Sequence, residues 1–410
     1  MKRVVIIGAG FGGLNAAKIL AGNKNLNITI LDKENHHLFK PLLYQVASAG
    51  LNESDIAYPI RSIFAKNANI KVFKENVVDI NSDSKNIITD SKIHEYDYLI
   101  IACGAVENYF NNNNWISFAP PLQKLSHAQH LRNKILNAFE MAEKSEDEEE
   151  KKKHLTFVIV GGGPTGVELA GAIGEITRIT LTKEFRNIDP SLSRIISIEA
   201  NSTILRSFDK KLIKKALRDL ESLGVQVWTN SRVTDITGDY INVANETIRT
   251  STIMWAAGTM ANSLAERIHC DKDRMGKILV ENDLSINQLP DIYAVGDIAH
   301  FEQNGRVLPG LAPVAMQQGK YAAKTILKRE AGKPYKPFKY RDKGHLATIG
   351  RSKAIAEIKR FKVSGTFAWI TWLFVHILYL TGFKNRVLVM LQWAWSYFTF
   401  KKGARIIIDK

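Results

Sequence analysis

Two glycine clusters, each followed by an acid, hold the residues of this chain best suited to chemistry on a dinucleotide. The first is Gly8, Gly10, Phe11, Gly12 and Gly13, with Asp32 downstream. Glycines so spaced permit a tight turn, close backbone approach to a pyrophosphate, and close packing of the helix whose N-terminus faces the anion. Asp32 stands where a carboxylate accepts hydrogen bonds from an adenosine ribose. A glycine-rich hairpin is the bland alternative, but a hairpin has no need of the acid. The second cluster is Gly161, Gly162, Gly163, Pro164, Thr165 and Gly166, with Glu199 beyond it. An acid there suits both hydroxyls of a ribose and repels a 2′-phosphate, which favours NADH over NADPH. The interval to Glu199 exceeds the usual twenty or so residues, so an insertion or a longer helix is expected near 178–189.

Each cradle requires a strand before it and a helix after it. Val4–Ile7 and Phe157–Val160 are short β-branched or aromatic runs, and Leu14–Leu20 and Val167–Ile176 take up a helical apolar pattern. Asn27–Leu31 and Ser193–Ile198 supply the strands that end at the two acids. Leu99–Gly104 and Ile253–Gly258 each close an apolar strand with small residues, among them Ala102, Gly104, Ala257 and Gly258, which let a ligand come close. Asp291–Asp297 places Gly296 and Asp297 after another apolar strand, although any Gly-Asp turn looks similar. Two cradles imply two dinucleotides, and hydride transfer between a flavin and a nicotinamide is the simplest reason to hold both.

Cys103 and Cys270 are the only cysteines, with no closely spaced pair. Disulfide reductases and sulfide oxidisers need such cysteines beside the flavin, so both chemistries are excluded. No cluster of His, Cys or carboxylates marks a metal site. The opening Met1-Lys2-Arg3-Val4 reads as the start of a strand, because its apolar run is too short for a signal peptide. The charged run Glu143–Lys153 reads as a solvated helix end or loop.

The net charge of +15 lies mostly at the end of the chain. From Lys336 to Lys410 fifteen Lys or Arg face three acids, giving +12. The same region has an uncharged stretch from Val363 to Phe383, a second from Val387 to Phe400, and four of the seven tryptophans. Its length allows a bilayer span, its Ser, Thr, His and aromatic content suits a helix lying in the headgroup boundary, and a soluble core or dimer face is the third reading. Nucleic acid is a poor partner, because long uncharged aromatic runs do not track phosphates.

With these residues in view, the chain resembles the type II NADH:quinone oxidoreductases, the single-subunit, non-proton-pumping NADH dehydrogenases of respiratory chains. The resemblance rests on His37–Ala47 (His-Leu-Phe-Lys-Pro-Leu-Leu-Tyr-Gln-Val-Ala), on Gly163–Ala170, and on the tail pattern Trp369, Trp372, His376, Gly382, Asn385, Arg386, Trp393, Trp395, Tyr397 and Arg405. It implies non-covalent FAD, with Lys33, Pro41, Leu42 and Ala315 joining the first cluster, Asp32, Ala102, Gly104, Gly296 and Asp297 around it. NADH is then held by the second cluster, Glu168, Glu199, Ala257 and Gly258. A membrane quinone, menaquinone or ubiquinone, enters along Tyr44, Gln45, Pro313, Met316 and Gln317, with Glu168 and Gln317 as catalytic residues. The resemblance further implies a homodimer on an anionic lipid surface, at the cytoplasmic face of the cell membrane.

One departure stands out. The family's quinone motif commonly reads A-Q-x-A-x-Q, whereas here Ala312-Pro313-Val314-Ala315-Met316-Gln317 puts proline in place of the first glutamine, and proline has no side-chain amide for a quinone carbonyl. Backbone, Gln317 or another polar group must take over, or the acceptor differs. A ferredoxin-type reductase and a flavin-bound NADH sensor are the rival readings. The expected fold is α/β, with two Rossmann-like dinucleotide-binding domains: an FAD domain at 1–115 and 280–335 split by an inserted NADH domain at 116–279. A membrane-associating and dimerising C-terminal region at 336–410 completes it.

Overall fold

The computed structural model describes residues 1–182, 184–399 and 404–407; the side chain of Tyr397, together with Lys401, Lys402 and Lys410 from the basic tail, lies outside the described residues. In chain order the elements that matter begin with strand β1 (Lys2–Ile7), helix α1 (Phe11–Leu20), β2 (Leu26–Asp32), short helix α2 (Leu43–Ala47) and β3 (Tyr98–Ile101). There follow β4 (Thr156–Val160), α3 (Pro164–Glu175), β5 (Arg194–Ile198), β6 (Thr252–Trp255), β7 (Leu289–Ala294) and α4 (Ala312–Glu330). The chain ends with β8 (His345–Gly350), α5 (Thr366–Tyr379) and α6 (Phe383–Thr399).

The chain forms two compact units. The first comprises Met1–Leu38, Tyr58–Val106 and Thr259–Asp342. Its sheet runs β7-β3-β1-β2 and Ile70–Lys74, all parallel, with Ser285–Ile286 antiparallel at the β7 edge. Ile7 pairs with both Leu31 and Ile101, so Gly8, Asp32 and Ala102 lie together at the carboxyl ends of the strands, where open α/β sheets bind ligands. One face packs on α1 and α4 through Leu14, Ala17, Ala322 and Ile326. The other is covered by a small antiparallel sheet carrying Ile80 and Ile87. Helices α1 and α4 approach unusually closely, since a Cβ on Gly319 would overlap the carbonyl of Gly12.

The second unit comprises Phe39–Ala57, Glu107–Gly258 and Lys343–Lys410. Its parallel sheet has the order Val225–Trp228, β5, β4, β6. The interval before Glu199 is filled by both expected devices: a π-helical turn, Ile176–Thr180, prolongs α3, and an irregular segment with a one-turn helix at Pro190–Leu192 leads into β5. The charged run becomes a separate helix, Glu148–His154, capped by Asp147 and laced by Glu–Lys pairs three residues apart. The compact units are not coextensive with the cofactor domains read from sequence. Residues 39–57 pack with the second unit, because α2 lies against α3 and the Leu125–Lys144 helix.

The uncharged stretch at 363–383 is not one helix. Phe361–Ser364 is the last strand of a three-stranded antiparallel sheet begun by β8, and Gly365, at φ +74°, turns the chain into α5. Helix α5 stops at Tyr379, and Gly382 at φ +88° precedes α6. Fourteen residues of α5 reach only about 21 Å against a hydrocarbon core of about 30 Å. Among the described residues no helix is long and apolar enough to cross a membrane.

Candidate active site

In the first cradle, Gly8 takes φ +93°, and a Cβ there would come within 2.6 Å of the Ala102 carbonyl oxygen. A Cβ on Gly13 would overlap the carbonyl of Gly8, so α1 starts hard against the turn, whereas beside Gly10 the space is open for 4 Å. The loop is braced from below. Ala9 donates its amide to Asp32 Oδ2 at 2.6 Å, and Glu34 donates to Oδ1 at 2.8 Å. Burial raises the Asp32 carboxyl above its usual range, against the opposing pull of these two amides. His37, which sequence reasoning did not assign, is buried with Nδ1 donating to the Ala9 carbonyl at 2.8 Å, and its ring meets Phe11 edge-on. Burial pushes His37 down to about 4, so it is a neutral brace at physiological pH.

On the same side of the sheet, Gly296 follows β7 at φ +78° and donates its amide to Gln318 Oε1 at 2.7 Å. Ala315 packs beneath Gly296, and Asp297 lies against Gly310. Gly104, at φ +74°, has open space around it. The first unit thus gathers Gly8 to Gly13, Asp32, Lys33, Ala102, Gly104, Gly296, Asp297 and Ala315; Pro41 and Leu42 belong to the second unit. A tight turn, an open helix N-terminus and a braced acid are what a dinucleotide such as FAD requires.

The second cradle repeats this geometry. Gly161 is at φ +118°, with a would-be Cβ 2.5 Å from the Ala256 carbonyl oxygen; a Cβ on Gly166 would overlap the carbonyl of Gly161; Gly163 is open. Pro164 and Thr165 are exposed at the start of α3, where proline's missing N–H costs nothing. Glu199 accepts from the Gly162 amide at 2.8 Å through Oε2, and from the Asn201 amide at 2.8 Å and side chain through Oε1. Gly258 follows β6 and Ala257, and its carbonyl accepts from Asn108.

Glu168 is the fifth residue of α3, past the first turn, so it does not sit where a carboxylate would offset the helix dipole. It is 9 % exposed, and its Oε1 is 3.4 Å from the amide of Thr348 in β8. Burial raises its carboxyl to about 8, opposed by the Thr348 amide and the indole of Trp372, so it is mostly protonated at neutral pH. It lines a cavity of about 130 Å³ with Tyr44, Gln45, Glu175, Trp372 and Trp393. That is many times the roughly 10–15 Å³ a single water needs. The indole N–H of Trp372 is buried there without a hydrogen bond of ordinary geometry. Trp372 also stacks on His376 at 4.1 Å between ring centres, and burial pushes His376 down to about 4. The roles of Trp372 and Trp393 were invisible in sequence beyond their place in the tail pattern, because the contacts span more than two hundred residues for Glu168.

Pro313, Met316 and Gln317 lie on α4 in the first unit. Pro313 occupies the first turn of α4, where no helical N–H is lost. The Gln317 amide is engaged twice with the backbone of Arg341, donating through Nε2 and accepting through Oε1 at 3.0 Å each. The neighbouring Gln318, unmarked in the sequence reading, is the buried one that holds Gly296. Cys103 and Cys270 form no disulfide; burial pushes the Cys103 thiol up to about 12 and raises that of Cys270 as well, which disfavours the thiolate form of both.

Comparisons agree with this geometry. A family model described as pyridine nucleotide-disulphide oxidoreductase matches residues 2–319, and one described as NDH2 C-terminal domain matches 343–400. The chain is 39% identical over 424 residues to a type II NADH:quinone oxidoreductase, Ndh, of Mycobacterium tuberculosis, covering 100% of this chain and 90% of the relative. It is 31% identical to a probable NADH dehydrogenase of Dictyostelium discoideum, covering 96% and 88%. Its fold superposes on NDH2 of Plasmodium falciparum in complex with NADH at a TM-score of 0.90, with 21% identity and full coverage of both chains. The sulfide:quinone oxidoreductase of Aquifex aeolicus shares the fold at a TM-score of 0.76, with 17% identity over 94% and 92% of the two chains. Identity of 39% over the whole chain, with both family models matched across the two glycine cradles and the C-terminal region, shows that the chain belongs to the type II NADH:quinone oxidoreductases.

Proposed function

We propose that the chain carries out its family's reaction, oxidation of NADH with two-electron reduction of a quinone, with FAD on the Gly8–Gly13 cradle and NADH on the Gly161–Gly166 cradle. FAD held by the Gly8–Gly13 cradle and Asp32 would supply the two-electron carrier between NADH and quinone. The protein's own part is to bind, orient and deliver protons. Asp32 and Glu199 take the ribose hydroxyls, and the open helix starts at Gly10 and Gly163 take the pyrophosphates. The observation that carries the quinone step is the cavity around Glu168, where its burial-raised carboxyl, the Tyr44 hydroxyl and the Trp372 indole converge among aromatic rings. A carboxyl near pH 8 is a suitable general acid for a quinone oxygen.

The same reading places the chain on the membrane surface, on the cytoplasmic face, as a homodimer. Its support is an apolar stripe on α5, where Phe367, Ile370, Phe374 and Leu378 are exposed at helical spacing, continued on α6 by Leu388, Leu391 and Trp395. The proposed acceptor is a membrane quinone, menaquinone or ubiquinone. The test is anaerobic stopped-flow on FAD-loaded protein: NADH bleaches the flavin and a short-chain quinone restores it. Restoration by a ferredoxin and not by quinone would refute the reading.

A further inference from the structure

We infer that Trp393 fixes the hydrogen-bond polarity of Tyr44, making its hydroxyl a dedicated donor to a carbonyl oxygen of the quinone; this rests on reading the Glu168 cavity as the quinone site. An indole N–H can only donate. Trp393 Nε1 lies 2.8 Å from Gln45 Oε1, and only the oxygen of an amide can accept that bond, which settles which way the Gln45 amide points. Gln45 Nε2 then donates to Tyr44 Oη at 3.0 Å. The phenol oxygen is thereby engaged as an acceptor, and its own proton must go elsewhere. Tyr44 is 6 % exposed, so bulk water is not the recipient. Tyr44 lines the cavity with Gln45, Glu168 and Trp372, so an acceptor seated in that cavity is the candidate recipient. A quinone carbonyl, which accepts and cannot donate, is the complement of a phenol that must donate.

Without the Trp393 N–H the Gln45 amide is free to turn over and offer its oxygen to Tyr44, drawing the phenol proton away from the cavity. Trp393 is thus a positioning residue acting through Gln45. Its helix is pinned to the same stretch of chain a second time. Asn385, two turns earlier on α6 and buried, donates to the carbonyls of Ser54 at 2.9 Å and Asp55 at 3.2 Å. The helix whose outer face carries Leu391 and Trp395 therefore holds the donor relay in register from its inner face. The charged and titratable groups around the phenol are Glu168 and Glu175 on α3, both of which disfavour a phenolate, and burial raises Tyr44 well above its ordinary value. The phenol keeps its proton and acts as a hydrogen-bond donor only.

The test uses FAD-loaded protein and a short-chain quinone, with Tyr44→Phe, Gln45→Glu, Trp393→Phe and the Tyr44→Phe/Trp393→Phe pair. Each single change is expected to lower kcat/KM for quinone by about three- to tenfold, the worth of one neutral hydrogen bond. The quinone Kd of the oxidised protein should follow the same order, while the rate of flavin reduction by NADH is unchanged. The double variant should be no worse than Tyr44→Phe alone. In Gln45→Glu the introduced carboxylate accepts from both Trp393 and Tyr44, so the defect should fade as pH falls and that carboxyl takes up a proton. A purely structural role for Gln45 gives no such pH dependence, and its absence would overturn the inference. So would wild-type quinone kinetics in Trp393→Phe beside an impaired Tyr44→Phe. Ala172→Leu narrows the cavity without touching the relay and tests the site itself; unaltered quinone kinetics in Ala172→Leu and Tyr44→Phe alike would remove quinone from this cavity.

Discussion

The carbonyl oxygen of Ile349 occupies the space that a Cβ on Gly171 would need. Helix α3 and strand β8 meet backbone to backbone there, and this contact sets the Thr348 amide near Glu168, three residues before Gly171 on the same helix face. Gly171→Ala is therefore expected to push β8 outward, at a cost of about 1–3 kcal/mol. Quinone reduction should fall in proportion to the disturbed cavity, and by more than flavin reduction by NADH, whose glycine cradle opens the same helix. Denaturant unfolding combined with the two half-reactions measures both. A variant as stable and as active with quinone as the parent would show that the contact does not position Glu168.

The Glu168 carboxyl, raised by burial to about 8, binds a proton in the folded chain that the unfolded chain has released above its ordinary value of 4.5. Where the native state holds more protons than the unfolded state, stability falls as pH rises. Its contribution to stability should therefore decline between about pH 4.5 and 8 and level off above. Glu168→Gln, which keeps the shape and removes the charge, should flatten that slope in thermal melts between pH 5 and 9. The same substitution should slow quinone reduction more than flavin reduction and abolish any fall in the quinone step through pH 8. Equal slowing of both half-reactions would deny the carboxyl its role toward the acceptor.

Glu199 and Asp32 brace their glycine loops in the same way, but their free capacity differs. Asp32 spends one bond on each oxygen, whereas Glu199 Oε1 already carries the Asn201 amide and side chain, leaving Oε2 as the better acceptor for a ribose hydroxyl. Glu199→Ala should raise KM for NADH by about tenfold or more, the scale of a charge-assisted hydrogen bond, and narrow the preference over NADPH by removing repulsion of the 2′-phosphate. The ratio of kcat/KM for the two coenzymes is the measurement. An unchanged ratio would remove Glu199 from coenzyme selection.

What could be read from sequence was local. Gly8, Gly13, Gly161 and Gly166 declare their geometry because a turn this tight admits only glycine, and the acids that close the strands follow at a fixed distance in the fold. The break in the uncharged stretch was less legible: nothing in its composition sets Gly365 and Gly382 apart as turn points, and their positive φ angles divide it into a strand and two helices. The cavity was the least legible part. Glu168 stood out as a resemblance, yet burial raises its carboxyl against the pull of Thr348 and Trp372, and the inferred polarity of Tyr44 runs through Gln45 to Trp393. Thr348, Trp372 and Trp393 lie 180 to 349 residues away, with no periodic pattern to announce them. Gln317 was expected to reach a quinone; its amide also donates to and accepts from the Arg341 backbone, a partner that no motif specifies.

The proposed membrane placement makes the exposed stripe on α5 and α6 the attachment face. Phe367, Phe374 and Trp395 are 78 %, 67 % and 65 % exposed, and burying such rings in lipid is worth roughly 1.5–3 kcal/mol each. Each basic residue near anionic lipid contributes about 1 kcal/mol, a part that salt screens. The apolar share persists in high salt, so detergent should release the protein from vesicles and salt alone should not. Replacing Phe367 and Phe374 together by Glu places two charges on the apolar face without touching Trp372 or Ala368, which are buried on the opposite side of α5. That double variant should sediment with vesicles far less than the parent, while its NADH-to-flavin half-reaction stays normal. Complete recovery of the parent protein in a salt wash, or undiminished vesicle binding by the double variant, would move the attachment away from this stripe.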